Sequence, residues 1–134
     1  MNPKEPFHPP VHFEIPVDDM ERATKFYNEL FGWDIFGAPG FEDYKMIYAL
    51  PVDKDNMIQG QGINGGMMKR SNPGTPIINY INVEDIDAYL AKLETLGGQI
   101  LMPKMPIPGI GWNAVVKDTE GNTFGMLQQD KNAA

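Results

Sequence analysis

The sequence predicts an α+β fold in which two βαβββ modules in tandem form curved mixed sheets around a shared cavity. The first observation is a repeat. The segment from His12, HFEIPVDDMERATKFYNELFGW, is matched in pattern 66 residues later by the segment from Ile78, INYINVEDIDAYLAKLETLGGQ. The second is that each copy contains the apolar spacing of one amphipathic helix. The third is that short apolar runs separated by turn residues follow each helix.

The first module begins with a strand in which Phe13, Ile15 and Val17 alternate with polar residues and face the helix. We expect Asp18 to cap that helix, with Glu21 as the return half of a capping box. The apolar face of the helix comprises Met20, Ala23, Tyr27, Leu30 and Phe31, and Gly32 follows it. The remaining runs predict strands at about Gly32–Ala38, Tyr44–Leu50 and Gln61–Lys69.

The second module follows the linker Ser71–Pro76, which contains two prolines and a glycine. Its first strand turns Ile81 and Val83 toward the helix. The helix face comprises Ile86, Tyr89, Leu90, Leu93 and Leu96, and Gly97-Gly98 ends the helix. Three more strands are predicted, at about Gln99–Pro103, Gly111–Lys117 and Asn122–Gln128. We expect the tail Asp130–Ala134 to fray. The chain is thus one domain, 1–134, with modules at about 11–70 and 77–129.

Composition limits the class of partner. The 134 residues include 11 Lys and Arg against 18 Asp and Glu, for a net charge of -7, which disfavours nucleic acids and anionic membranes. A neutral or cationic small molecule is the expected ligand. There is no cysteine, so no disulfide, thiolate nucleophile or Cys-ligated zinc is available. No apolar run is long enough for a membrane span, and we expect a soluble, cytoplasmic protein.

The candidate catalytic residues are His12, Glu14 and Tyr80. His12 and Glu14 lie in the first strand of the first module, and Tyr80 lies in the first strand of the second. All three are on the strand face turned away from the helix, and we expect these two faces to line the cavity. His12 is a possible general base and Glu14 a possible proton-transfer group, while Tyr80 could donate a hydrogen bond to a substrate oxygen. Two alternatives stay open: His12 as a structural histidine, and Glu14 as a carboxylate hydrogen-bonded to Tyr80 across the two halves.

Other residues are candidates for the wall of the ligand pocket. The aromatic and methionine side chains would give adaptable packing against an apolar ligand, although ordinary core positions explain them as well. Glycines in the middle of a fourth strand indicate either a bulge, which would bend the sheet, or open space beneath a bound ligand. These pocket candidates are Met46, Tyr48, Gly66, Met68, Trp112 and Gly125.

The duplicated strand, acidic pair, helix and glycine, together with the ending DTEGNTFGMLQ (Asp118 to Gln128), resemble the glyoxalase/bleomycin-resistance family, or vicinal oxygen chelate superfamily. The resemblance covers about Val11 to Gln128. The stretch from Tyr80, with VEDIDAYLAKLETLGGQILMPKMPIPGIGW, is similar to a branch of predicted enzymes related to lactoylglutathione lyase. This resemblance implies a glyoxalase-like fold and a homodimer.

The resemblance also implies where a metal would bind. Metal-dependent members take one ligand from the first and one from the fourth strand of each half, and these places match His12, Gly66, Ile78 and Gly125. Only His12 has a donor side chain, although Glu14 could supplement it. Because catalytic zinc sites need about three protein ligands, we predict no complete metal ligand set and no cofactor. A divalent metal in an atypical site stays open as the disfavoured alternative, and we do not expect lactoylglutathione lyase activity.

Two functions remain open. One is an enzyme related to lyases, isomerases or dioxygenases that acts on a small oxygenated compound. The other is a non-catalytic protein that sequesters a small cationic or aromatic compound such as an antibiotic. The ligand positions without donor side chains favour the second, and the cluster of His12, Glu14 and Tyr80 supports the first.

Overall fold

The computed structural model describes residues 7–134. They form ten elements: β1 (Pro10–Val17), α1 (Met20–Phe31), β2 (Asp34–Gly37), β3 (Tyr44–Tyr48), β4 (Gly65–Lys69), β5 (Ile78–Asn82), α2 (Ile86–Thr95), β6 (Gln99–Ile107), β7 (Gly111–Lys117) and β8 (Thr123–Gln129). The predicted α+β fold with a βαβββ pattern in each half is confirmed. The chain divides into two compact units. We call His12–Ile77 the first module, and Ile78–Ala134 with residues 7–11 the second module.

The first module has the strand order β2-β3-β4-β1, with β1 and β4 parallel and the other pairs antiparallel. Its core lies between α1 and the sheet, where Ile15, Val17, Ile47 and Met67 are buried. Phe13 packs against these residues, so the predicted helix-facing side of β1 is confirmed. His12 and Glu14 alternate with the helix-facing residues and therefore occupy the opposite face of the sheet.

The second module repeats this arrangement with the order β5-β8-β7-β6, in which β5 and β8 are parallel. Val83, Ile86, Leu90 and Val116 are among the buried residues of the core beneath α2. Residues before β1 also belong to this module. The two ring nitrogens of His8 lie 3.0 Å from the Asn82 carbonyl oxygen and 2.9 Å from the Tyr89 hydroxyl, so this exposed histidine is tied to β5 and α2.

In each acidic pair the second residue caps the helix, so α1 begins one residue later than the predicted cap at Asp18 implies. Asp19, not Asp18, caps α1 by accepting the Arg22 N–H at 3.0 Å, and Asp85 caps α2 by accepting the Ala88 N–H at 3.2 Å. A capping box from Asp19 would need an acid or amide at Arg22, so the predicted role of Glu21 is wrong. Asp18 instead pairs with Arg70 at 3.0 Å. Gly32, the glycine that follows the helix face in the sequence, has φ 72° and ends α1 in the left-handed conformation.

Three predicted helix-face residues lie outside the cores. Leu30 and Phe31 are each 58% exposed at the end of α1, and Leu96, the C-terminal cap residue of α2, is 66% exposed. The apolar spacing continues past the last turn that the sheet covers, and periodicity cannot show where that cover ends.

Several strand bounds differ from the prediction. β2 and β3 are shorter at Asp34–Gly37 and Tyr44–Tyr48. β4 starts at Gly65 because the residues before it form an irregular loop, which the buried Asn64 side chain holds by accepting the Leu50 N–H at 2.8 Å and donating to its carbonyl at 3.1 Å. β6 continues to Ile107 through two register shifts. It lies at the end of its module's strand order, where proline is tolerated.

The C-terminal tail is ordered, so the prediction that it frays is wrong. The Asp130 N–H donates to the Ile110 carbonyl and the Gly109 N–H to the Ala133 carbonyl, at 2.9 and 3.0 Å. The Trp112 indole N–H donates to Asp130 Oδ2 at 3.1 Å, and Ala133 is only 4% exposed. Backbone pairing with the β6–β7 turn therefore fixes the end of the chain, although its composition is polar.

Candidate functional site

The candidate site lies on the face of the first module's sheet that is turned away from α1. The strand registers define this face. Glu14 and Met46 are both Cα partners of Gly66, and Tyr44 is the partner of Met68. Paired residues in adjacent strands project to the same side. Tyr48 follows Met46 by two residues and lies on this side as well. The structure thus places six of the predicted site residues on this face: His12, Glu14, Met46, Tyr48, Gly66 and Met68.

The polar part of this face is a cluster of three side chains, His12, Glu14 and Tyr44. His12 Nε2 lies 3.0 Å from the Tyr44 hydroxyl oxygen, within hydrogen-bond distance, and 3.9 Å from Glu14 Oε2. The side chains of His12 and Glu14 are 25% and 15% exposed. Partial burial makes the contacts of each group stronger than they would be in water.

Burial lowers the pKa of His12 below its ordinary value of 6.5, and the negative charge of Glu14 opposes this effect without cancelling it. Desolvation disfavours the imidazolium ion, whereas a nearby carboxylate favours it. His12 is therefore a neutral imidazole at neutral pH. A neutral imidazole has one nitrogen that can accept a proton, which is the state a general base requires.

Gly66 has no side chain, and the space where one would begin is filled by Tyr44. A Cβ atom built on Gly66 would overlap the Tyr44 hydroxyl and ring, with Cε1 at 2.9 Å and two atoms closer still. The ladder on both sides of Gly66 is continuous, so the predicted alternative of a bulge is wrong. The alternative of open space for a ligand at Gly66 is wrong as well, because the Tyr44 side chain fills that space.

An apolar surface adjoins the polar cluster. The rings of Phe36 and Tyr48 meet edge to face at 4.8 Å between centroids, and Phe36 is 37% exposed. Phe36 is the partner of Met46 in the β2–β3 ladder, so it lies on the same face. The centroids of the Phe41 and Tyr44 rings are 6.3 Å apart. The face therefore changes from aromatic and methionine side chains to a polar cluster at β1.

Tyr80 and Gly125 form a similar pair in the second module. They are register partners in β5 and β8, and the Tyr80 ring occupies the space where a Gly125 Cβ would lie. Tyr80 is 5% exposed and packs with Ile78, Val115 and Leu127. The sequence correctly places Ile78 and Tyr80 on the side of the sheet away from α2.

Trp112 does not join these residues, although the sequence analysis placed it in the pocket wall. It packs against the core beneath α2, on the opposite side of the sheet from Tyr80 and Gly125. Lys104 Nζ lies 4.6 Å from the centroid of its indole ring. Val115 lies on the Tyr80 side of the sheet. Because successive residues of a strand face opposite sides, Trp112, three residues before Val115, lies on the other side.

The donor set does not fit a metal ion of the kind that the resemblance implies. Of the four matching positions, His12 alone has a donor side chain, and tyrosine rings fill the side-chain space at Gly66 and Gly125. Within residues 7–134 no three His, Asp or Glu side chains come together as metal ligands could.

In addition, no helix within residues 7–134 is long and apolar enough to cross a membrane.

Tyr44 is the site residue that the sequence analysis missed. It starts a predicted strand, and alternation alone gives it no distinction from its neighbours. The available signal was the glycine in the fourth strand, because a strand glycine accommodates a large side chain on a neighbouring strand. That signal requires the β3–β4 register, which the sequence does not specify.

Comparisons with known proteins agree with the geometry of the fold. The family model Glyoxalase/Bleomycin resistance protein/Dioxygenase superfamily matches residues 10–126. A glyoxylase-like domain-containing protein of Didymella fabae is 33% identical over 118 residues, covering 84% of this chain and 88% of that protein. The anthracycline biosynthesis protein DnrV of Streptomyces peucetius is 27% identical over 129 residues, covering 90% of this chain and 46% of that protein. The chain spans about half the length of several such curated relatives.

Solved structures show the same fold at low sequence identity. Methylmalonyl-CoA epimerase of Mycobacterium tuberculosis has a TM-score of 0.64 and 14% identity, covering 90% of this chain and 87% of that one. A glyoxalase/bleomycin resistance protein/dioxygenase superfamily member from Vibrio splendidus has a TM-score of 0.61 and 13% identity, covering 89% and 97%.

Proposed function

The chain belongs to the Glyoxalase/Bleomycin resistance protein/Dioxygenase superfamily, and on that premise we propose that its first module binds a small cationic aromatic compound without a metal ion. The observation that carries the proposal is the composition of the face opposite α1. Aromatic and methionine side chains on β2 and β3 lead to a carboxylate, Glu14, on β1. Such a face can stack a planar ring system at one end and hold a positive charge at the other.

The dimensions of the face suit an extended ligand. Phe36 on β2 and Glu14 on β1 are separated by three strand spacings, which is about 14 Å. A planar system of three or four fused rings has a comparable length. The name of the Streptomyces relative places that protein in the biosynthesis of anthracyclines, which are polycyclic aromatic compounds, and this supports the same class of ligand.

Charge supports a cation over an anion. Glu14 lies on this face, whereas the strand residue Lys45 faces α1 and donates to the Thr24 hydroxyl at 3.3 Å. The chain as a whole has a net charge of -7. An anionic ligand would therefore meet an unfavourable potential both at the face and on approach.

Fluorescence titration with two three-ring probes of opposite charge tests the proposal. We expect the cation proflavine to bind and anthracene-2-carboxylate to bind at least about ten-fold more weakly. Glu14→Gln should weaken proflavine binding by about five-fold or more, because a unit charge at about 4 Å contributes roughly 1 kcal/mol even in water. Glu29→Gln, the same change on the exposed surface of α1, is the matched control.

The proposal fails if the two probes bind equally, if neither binds, or if a chelator abolishes proflavine binding. The last result would show that a metal holds the ligand after all. Equal effects of Glu14→Gln and Glu29→Gln would show that the attraction comes from net charge and not from the site.

A second candidate function is metal-independent proton transfer, as in a lyase or isomerase acting on a small carbonyl compound. The observation that favours it is the 3.9 Å distance between His12 and the Glu14 carboxylate, on a partly buried face where desolvation lowers the pKa of His12. Enzyme-dependent exchange of deuterium from solvent into the carbon next to a carbonyl, followed by NMR over a panel of such compounds, is the assay. Exchange that survives both His12→Gln and Glu14→Gln would contradict this role.

A further inference from the structure

Gly66 and Tyr44 form a matched pair in the first module. Gly66 is buried in β4, and the phenol of Tyr44 reaches from β3 across the place where a side chain on residue 66 would project. The hydroxyl at the end of this ring lies 3.0 Å from His12 Nε2 on β1. The absence of a side chain at one residue thus lets a side chain from β3 extend over β4 and reach β1.

We infer that Tyr44 is a positioning residue that accepts a hydrogen bond from His12 Nε2–H and so fixes the tautomer and the orientation of the imidazole. The inference deepens the proposed function, because His12 belongs to the polar end of the same face. It does not assign Tyr44 a contact with the ligand.

The direction of this hydrogen bond follows from the position of Glu14. The same nitrogen, Nε2, lies 3.9 Å from the carboxylate oxygen Oε2. A proton on Nε2 places partial positive charge toward the carboxylate, whereas a lone pair there would face negative charge. The electrostatics therefore favour Nε2–H as the donor and the Tyr44 hydroxyl oxygen as the acceptor. In a neutral imidazole the hydrogen bonds decide which nitrogen carries the proton.

The arrangement also explains why a phenol suits this position. Tyrosine has a rigid ring with two side-chain torsions, so its hydroxyl loses little conformational entropy when it is fixed. Packing over Gly66 restricts the Tyr44 ring independently of its contact with His12. A flexible donor or acceptor of the same reach would hold the imidazole less firmly.

Long-range ¹⁵N–¹H NMR of the ligand-free protein tests the inference, since it distinguishes the protonated nitrogen of each imidazole. The signal that disappears in His12→Gln identifies His12 among the two histidines. We expect Nε2 to carry the proton in the natural protein. Tyr44→Phe keeps the ring over Gly66 and removes the hydroxyl, and it should raise the ratio of Nδ1–H to Nε2–H by about five-fold. Tyr27→Phe, which removes a hydroxyl on α1, is the control.

Two results would overturn the inference: a natural protein with the proton on Nδ1, or a Tyr44→Phe variant whose tautomer ratio equals that of the natural protein. The second would mean that Tyr44 only fills the space over Gly66. If Tyr44→Phe fails to fold, the tautomer of the natural protein still decides. Because no ligand is present, a failure of proflavine to bind would contradict the proposed function without touching this result.

Discussion

Gly66→Ala should destabilise the protein by about 1–3 kcal/mol, because the added methyl group would occupy space that Tyr44 already fills. Tyr44 Cε1 would lie 2.9 Å from the new carbon, and the hydroxyl and Cζ would lie closer. The ring can yield only by rotating as a unit. That rotation breaks the 3.0 Å contact between its hydroxyl and His12, so the steric cost and the loss of the hydrogen bond add.

Urea unfolding followed by circular dichroism measures this effect. The matched control is Gly37→Ala in β2, where nothing lies within 4 Å of an added Cβ, and we expect a change within about 0.5 kcal/mol there. Combining Gly66→Ala with Tyr44→Ala should cost less than the sum of the two single changes, with a coupling of about 0.5–3 kcal/mol. A Gly66→Ala variant as stable as the Gly37→Ala variant would refute the packing argument, and additive costs would show that Tyr44 is not the obstacle.

Four further predictions follow from other contacts. Asp19→Ala should cost about 1 kcal/mol in urea unfolding as the loss of a helix cap, whereas Asp18→Ala, which breaks an exposed ion pair, should cost less than about 0.5 kcal/mol; the reverse order would contradict the assigned cap. Gly125→Ala should destabilise at least as much as Gly66→Ala, since Tyr80 is 5% exposed and cannot turn toward solvent; a smaller loss would contradict this. Asp130→Ala should speed hydrogen exchange at the Gly109 amide, which the docked tail protects, and unchanged exchange would argue against docking by Asp130. Because the pKa of His12 is lowered on folding, the unfolded chain binds the proton more tightly than the folded chain. The free energy of unfolding should therefore be highest above about pH 6.5, where His12 is neutral in both states, and should decline as the pH falls below that value. His12→Gln should flatten this decline, as measured by the urea midpoint of unfolding at each pH.

Much of the fold could be predicted from the sequence because the same pattern of elements occurs twice along the chain. The repeat fixes the order of strands and helices, and alternation in β1 and β5 assigns His12, Glu14 and Tyr80 to the faces away from the helices. The cap of α1 was misplaced because two adjacent acids, Asp18 and Asp19, both satisfy the sequence pattern for a cap. Which of the two caps the helix depends on the residue at which the backbone turns from extended to helical. Tertiary packing decides this to within one residue, and the sequence pattern does not.

The candidate site was only partly predictable, because its contacts run across strands rather than along them. Membership of a face follows from alternation, and six of the predicted residues do share one face. The contact of Tyr44 with His12 depends on the register of β3 and β4, which alternation along each strand does not specify. Trp112 shows the converse: its predicted place in the pocket wall rested on its aromatic character, while alternation in β7 puts it in the core under α2.

The two modules fill the same position in different ways, and this bears on how the site works. Glu14 and Tyr80 occupy equivalent places, as the register partners of Gly66 and Gly125. In the second module the partner itself, Tyr80, covers the glycine. In the first module the partner is a carboxylate that lies beside His12, and the covering ring comes from β3 instead. Because the Tyr44 ring covers Gly66, the register partner of this glycine can be a carboxylate, Glu14, which places a negative charge on the face. The polar cluster therefore depends on a tyrosine whose equivalent the repeat does not contain.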